Sequence, residues 1–175
     1  MKFPLLLLDA NIVIYLHELR IWESFITQCM VTITQAVAKE SDYWEDENGF
    51  HSPIELDSDI RTGKIDCIDV PLAIVEAFLK KYGPVYLERL DPGEAESLAF
   101  LFHSKDKWLF TSADEIVFKV LGAAGRFEQG ISLEEILQKI GLSRPGLKVQ
   151  FTKQFRLNTA KKGQFDGITD FEGGK

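Results

Sequence analysis

Apolar and polar positions follow one another in blocks along this chain, and the period changes from block to block. Residues 3–8, FPLLLL, are apolar without alternation, the pattern of a strand buried on both faces as in a parallel sheet. The run stops at Asp9. ANIVIYLHEL then takes helical spacing, with Ile12, Leu16 and Leu19 on one face. IWESFITQ predicts a second short helix, MVTI (30–33) a second strand, and TQAVAKESDYW a helix with Thr34 as N-cap. Residues 45–63 are polar, contain Asn48-Gly49 and Pro53, and predict a loop region with short elements at most.

KIDCIDVP (64–71) predicts a third strand, and Pro71 opens the helix PLAIVEAFLKKYG, which Gly83 ends. LDPGEAESLAFLFHS predicts a helix capped by Asp91, with Pro92 first and an apolar stripe of Ala95, Leu98, Ala99 and Phe102. KWLFTS (107–112) is a buried strand, and ADEIVFKVLGAAG a helix with Gly125 just past its end. ISLEEILQKIG carries the capping box Ser132–Glu135 and a stop at Gly141.

Strands that keep alternating with helices predict the α/β class with a central, mainly parallel sheet. Residues 146–175 break the alternation. Leu147, Val149 and Phe151 predict a strand, followed by a basic, polar and finally Gly-rich end. The expected organisation is a domain over 1–141 and a basic arm over 142–175, outside the core.

Charge sharpens that division. The net charge is −7, yet residues 1–140 hold 24 acids against 13 Lys/Arg, and residues 141–165 hold six Lys/Arg and no acid. Cys29 and Cys67 lie far apart and predict structural thiols in a reducing compartment. His17, His51 and His103 have no zinc-ligand spacing. No apolar stretch reaches the ~20 residues of a membrane span. FPLLLL is too short for a signal-peptide core and has no cleavage site after it. A cytoplasmic protein away from membranes is expected.

In an open parallel sheet, functional groups gather beyond the carboxyl ends of the strands. Asp9 follows the first strand and Asp114 the KWLFTS strand, while Glu40 and Glu94 lie on helices that follow the second strand and Asp91. Each has an ordinary explanation alone: Asp9 and Asp114 as helix caps, Glu94 as the partner of a cap, Glu40 as a surface charge. Brought together, they repel one another strongly without a cation. An all-oxygen set suits Mg2+ or Mn2+ rather than zinc. Such an ion lowers the pKa of a bound water and positions a phosphate for in-line attack. Glu96 competes with Glu94, but the two lie about 200° apart on a helix, so one ion takes one of them. The nearness of Glu94 to the helix start favours it.

LLLLDAN, Glu40 in AVAKE, GEAESLAFL and FTSADEIVF, in that order, resemble the PIN-domain nucleases over roughly residues 3–141, and ISLEEIL is similar to that family's closing helix. The resemblance implies a PIN-like three-layer α/β/α fold and a Mg2+- or Mn2+-dependent endoribonuclease that hydrolyses RNA phosphodiester bonds. It implies catalytic Asp9, Glu40, Glu94 and Asp114, with the metal on Asp9, Glu94 and Asp114. Asn11 and Ser112 would support them by hydrogen bonds. It also implies the toxin of a type II toxin–antitoxin pair, of the VapC type, silenced by an antitoxin protein and working as a homodimer. Two rivals stand beside it. One is a PIN-fold binding or scaffolding module with little nuclease activity. The other is a haloacid-dehalogenase-like phosphatase, whose motif asks for a second Asp where Asn11 stands. In the basic segment, Lys148, Lys153 and Arg156, with Lys161 and Lys162, are candidate RNA contacts, and an arm packed on the domain is the alternative.

Overall fold

The computed structural model describes residues 1–82 and 89–172. Its elements begin with β1 (Phe3–Leu8), α1 (Ala10–Glu18), α2 (Trp22–Gln28), β2 (Cys29–Thr34) and α3 (Gln35–Glu40). A small insertion follows: β3 (Tyr43–Glu45), β4 (His51–Pro53) and α4 (Leu56–Arg61). Then come β5 (Asp66–Ile68), α5 (Leu72–Tyr82), α6 (Pro92–His103), β6 (Leu109–Thr111) and α7 (Glu115–Ala123). α8 (Leu133–Lys139) and the long α9 (Lys153–Glu172) complete the chain.

Among the described residues the main sheet has four strands, all parallel, in the order β5-β2-β1-β6. β1 is therefore internal, with Leu7 opposite Thr32 of β2 and Phe110 of β6. This explains its unbroken leucines. Leu6 and Leu8 enter a core with Ile12 and Leu16 of α1, Phe25 of α2, and Ile136 and Leu137 of α8. Leu7 enters the opposite core with Phe78 of α5, Leu98 and Leu101 of α6, and Val117 and Leu121 of α7. Both faces are covered by helices, so the fold is a three-layer α/β/α sandwich.

Two expectations change. The helix predicted through Trp44 stops at Glu40, because the Ser41 N–H and hydroxyl both donate to the Val37 carbonyl and turn the chain into the β3–β4 hairpin. The end of α5 at Gly83 falls outside the described residues. The second change is the larger. The strand expected at 147–151 is a single 3₁₀ turn (Val149–Phe151), and the supposed arm is α9. Val149 is exposed, whereas Phe151 is buried with its ring stacked 3.8 Å from that of Tyr15. The Thr152 hydroxyl then accepts the Phe155 N–H at 3.3 Å and starts the helix.

α9 buries Arg156, Thr159 and Ala160 against the domain. Its approach to α7 is so close that a methyl at Gly122 would collide with the Ala160 carbonyl, and one at Gly163 with the Lys119 carbonyl. No helix among the described residues is long and apolar enough to cross a membrane.

Candidate metal centre at the carboxyl edge of the sheet

The strand order decides which residues can meet. The chain leaves β1 toward β2 and later returns to its other side as β6, so the carboxyl ends of β2, β1 and β6 lie side by side. Asp9 is the first residue past β1, and its N–H donates to the Thr111 carbonyl of β6 at 3.1 Å. It caps α1, with Oδ1 accepting the Ala10 N–H at 2.8 Å. Oδ2 accepts the Ser112 hydroxyl at 2.7 Å. Ser112 Oγ in turn accepts the Asp114 N–H at 3.0 Å, and Asp114 caps α7 through the Ile116 N–H. One serine thus ties the first acid to the last.

The other acids come from α3 and α6. Asp91 and Glu94 form a capping box: Asp91 Oδ1 accepts the Glu94 N–H at 2.9 Å, and Glu94 Oε2 accepts the Asp91 N–H at 3.1 Å. Glu40, the last residue of α3, accepts the Gly93 N–H at 2.9 Å through Oε1. A methyl group at Gly93 would push the Glu40 carboxylate aside.

One carboxylate oxygen each from Asp9, Glu40 and Asp91 lies within 4.8 Å of the others. Asp9 is buried, Glu40 half-buried and Asp91 exposed, so the cluster opens to solvent on the Asp91 side. Glu94 is buried beside them. Its second oxygen, Oε1, is buried with no hydrogen-bond donor among the described residues.

The electrostatics follow. Burial pushes the Asp9 carboxyl up to about 7, helped by the charges of Asp91 and Glu40 and opposed by the Ser112 hydroxyl and the Ala10 N–H. Burial, with the charges of Asp9, Asp91 and Asp114, pushes Glu94 up to about 9. Glu40 is also raised, by burial and then by Asp91 and Glu96, against the Gly93 N–H. Among the described residues no Lys, Arg or His pairs with Asp9, Glu40, Asp91 or Glu94.

The residues expected at the site divide. Asp9, Glu40 and Glu94 come together, and Asp114 stands at the flank, near enough to Glu94 to raise it but outside the closest trio. Asp91, expected as a cap alone, is both cap and member of the trio. The signal was the DPGE run itself: a capping carboxylate uses one oxygen and leaves the other to point outward. Glu96 is engaged elsewhere, with Oε2 accepting the Ala36 N–H at 3.1 Å in the first turn of α3. Asn11 is exposed on α1 and makes no hydrogen bond to the acids among the described residues.

The candidate RNA contacts divide as well. Arg156 is buried in a two-pronged ion pair with Glu135, at 2.8 and 2.9 Å, which corrects its expected place on an RNA-facing surface. Lys148 pairs with Glu18 at 3.1 Å and lies over the Tyr15 ring. Lys153 and Lys161 are exposed, and Lys162 reaches Glu115 at 3.4 Å.

The donor set fits a hard divalent cation: all oxygen, anionic, with one buried oxygen lacking a partner and a glycine that makes room for a carboxylate. No family model and no curated protein matches the chain.

Proposed function

We propose that the protein is a Mg2+- or Mn2+-dependent endoribonuclease acting at the carboxyl edge of its sheet. The observation that carries this reading is Glu94 Oε1, buried without a donor beside the clustered oxygens of Asp9, Glu40 and Asp91. A buried carboxylate oxygen in that state destabilises a fold unless a proton or a cation completes it. A proton would complete Glu94 alone and leave three more carboxylates crowded.

Asp9, Glu40 and Asp91 would hold the ion, with Glu94 behind them and Asp114 at the flank. When bound, such an ion supplies charge neutralisation and Lewis-acid polarisation at a phosphodiester. The chain's own residues hold the acids in place: Ser112 fixes Asp9, the Gly93 N–H aims Glu40, and the capping box fixes Glu94. The choice of RNA rests on the ordered likeness of LLLLDAN, AVAKE, GEAESLAFL and FTSADEIVF to PIN-domain nucleases. An antitoxin protein covering the acids, and a homodimer, belong to the same reading.

The test is calorimetric titration with Mn2+ beside an RNA cleavage assay with and without EDTA. Mn2+ should bind, binding should vanish in Asp9→Asn, and cleavage should stop in EDTA. Metal binding without cleavage would favour a binding or scaffolding module. Cleavage that survives EDTA would remove the metal from the mechanism.

A further inference from the structure

Six cations, Arg144, Lys148, Lys153, Arg156, Lys161 and Lys162, crowd into residues 141–165 of an otherwise acidic chain, and the fold gives the last five distinct places. Arg156 is consumed inside by Glu135, and Lys148 is held by Glu18. Lys153 and Lys161 stand exposed on α9, with no carboxylate within ion-pair distance among the described residues. Among the described residues Lys162, with a side chain 65% exposed, makes only the 3.4 Å contact to Glu115, a carboxylate that Lys119 already holds at 3.1 Å.

The position of these lysines is set by packing. Gly122 and Gly163 let α9 lie directly on α7, so Lys162 comes to rest against Glu115, the first residue of α7 and the neighbour of Asp114. A basic strip therefore ends beside the flank of the acidic site. Gln154 and Asn158, hydrogen-bonded to each other at 2.8 Å, lie between Lys153 and the two later lysines. From Lys153 to Lys161 the strip runs about 12 Å.

We infer that this outer face of α9, anchored by Lys161 and Lys162, grips the sugar–phosphate backbone of a single-stranded RNA and leads it to the acidic edge of the sheet. The identity of the nucleic acid rests on the nuclease reading above. The grip itself rests on charge complementarity and on where α9 is held. A strip one helix wide on an acidic body suits one strand. The second strand of a duplex would run onto like charge.

The test is fluorescence anisotropy with an unstructured, labelled single-stranded RNA in EDTA, repeated over a salt series. Lys161→Glu/Lys162→Glu should weaken binding at low salt at least about tenfold and flatten the log–log salt slope by roughly 1.4. Lys139→Glu, in the last turn of α8 beside Lys2 and Phe3 at the amino end of the sheet, should change neither. Should the double reversal disturb the melting temperature, Lys153→Gln/Lys161→Gln leaves the Glu115 contact alone and should still weaken binding about threefold or more. Wild-type affinity in the α9 variants, an equal loss in Lys139→Glu, or no RNA binding by the wild type would each overturn the inference. RNA binding through α9 by a protein that never cleaves with added metal would instead remove the nuclease reading and leave the grip standing. Cleavage with α9 variants of wild-type affinity would do the reverse.

Discussion

Asp91–Glu94 at the start of α6 and Ser132–Glu135 at the start of α8 are the same local device on opposite faces of the sheet. In each a capping residue accepts the N–H of a glutamate, whose carboxylate reaches back to the cap. Their electrostatics are opposite. At Glu135 burial disfavours charge, but the Arg156 fork, the Ser132 N–H and the Ser132 hydroxyl together hold the carboxyl below its ordinary range. At Glu94 burial acts in the same sense, three acids add to it, and the Asp91 N–H alone opposes them. The same motif is closed by a resident cation on one face and left as a concentration of negative potential on the other. Helix capping explains why each glutamate is where it is. It does not explain why one of them lacks a positive partner among the described residues, and the proposed metal site rests on that difference.

The sharpest way to break the comparison is to neutralise each glutamate. Glu94→Gln keeps a residue suited to its cap position, so the fold should remain. Metal-dependent RNA cleavage should fall at least about 100-fold, the upper end of what losing a supporting contact costs. In EDTA, at a pH above about 9 where Glu94 is charged, the variant should melt above the wild type, because a repulsion has gone. Glu135→Gln should melt below it. If both variants melt lower, the acids are not in conflict and the contrast collapses.

Removing the cation is the next largest effect. Arg156→Met leaves the Glu135 carboxylate buried without its partner and should cost roughly 2–4 kcal/mol in urea unfolding. Adding Glu135→Gln should restore part of that loss. An unchanged unfolding midpoint in Arg156→Met would show that the pair is held by solvent instead.

The two sites should also respond oppositely to pH. Asp9 and Glu94 have raised values, so the fold retains protons that the unfolded chain has lost. The stability they allow is complete below about 4, and it declines as pH rises through about 7 and on to about 9. Over that window each retained proton corresponds to about 1.4 kcal/mol per pH unit. Saturating Mn2+ should flatten the decline. Glu135 has a lowered value, so its contribution is present above the ordinary carboxylate range and is lost as pH falls through the folded-state value. Melting curves from pH 4 to 9, with and without Mn2+, separate the two.

Gly93→Ala should leave α6 formed, since alanine favours a helix, yet displace the Glu40 carboxylate. Mn2+ affinity should drop about tenfold by calorimetry. Glu96→Gln is expected to do least. It should alter cleavage by less than a factor of about three and stability by under about 1 kcal/mol. A severe loss of cleavage there would mean that α6 presents the other face to the site.

Much of this was readable from one dimension. Asp9, Glu94 and Asp114 announce themselves because each ends an apolar run or opens a helix, and both capping boxes are contiguous in sequence. Asp91 was hidden by its own success as a cap. α9 was hidden for a different reason. Leu147, Val149 and Phe151 alternate over too few residues to specify a strand, and of the three Phe151 alone is buried. What holds α9 in place is the match of Gly163 to Lys119, of Gly122 to Ala160 and of Arg156 to Glu135, pairs 21 to 44 residues apart. Arg156 looked like a solvated cation because its partner lies across the fold.

The pairing of β1 with β6 also sets a schedule. Leu6 and Leu109 are about a hundred residues apart in the chain, so during translation β1 leaves the ribosome long before its second neighbour exists. Until then the leucine strand has one open edge, the sort of surface on which nascent chains stick to one another. Asp9 waits meanwhile without the Thr111 carbonyl and the Ser112 hydroxyl that hold it. The arrival of one three-residue strand completes the acidic site and hides that open edge in the same event.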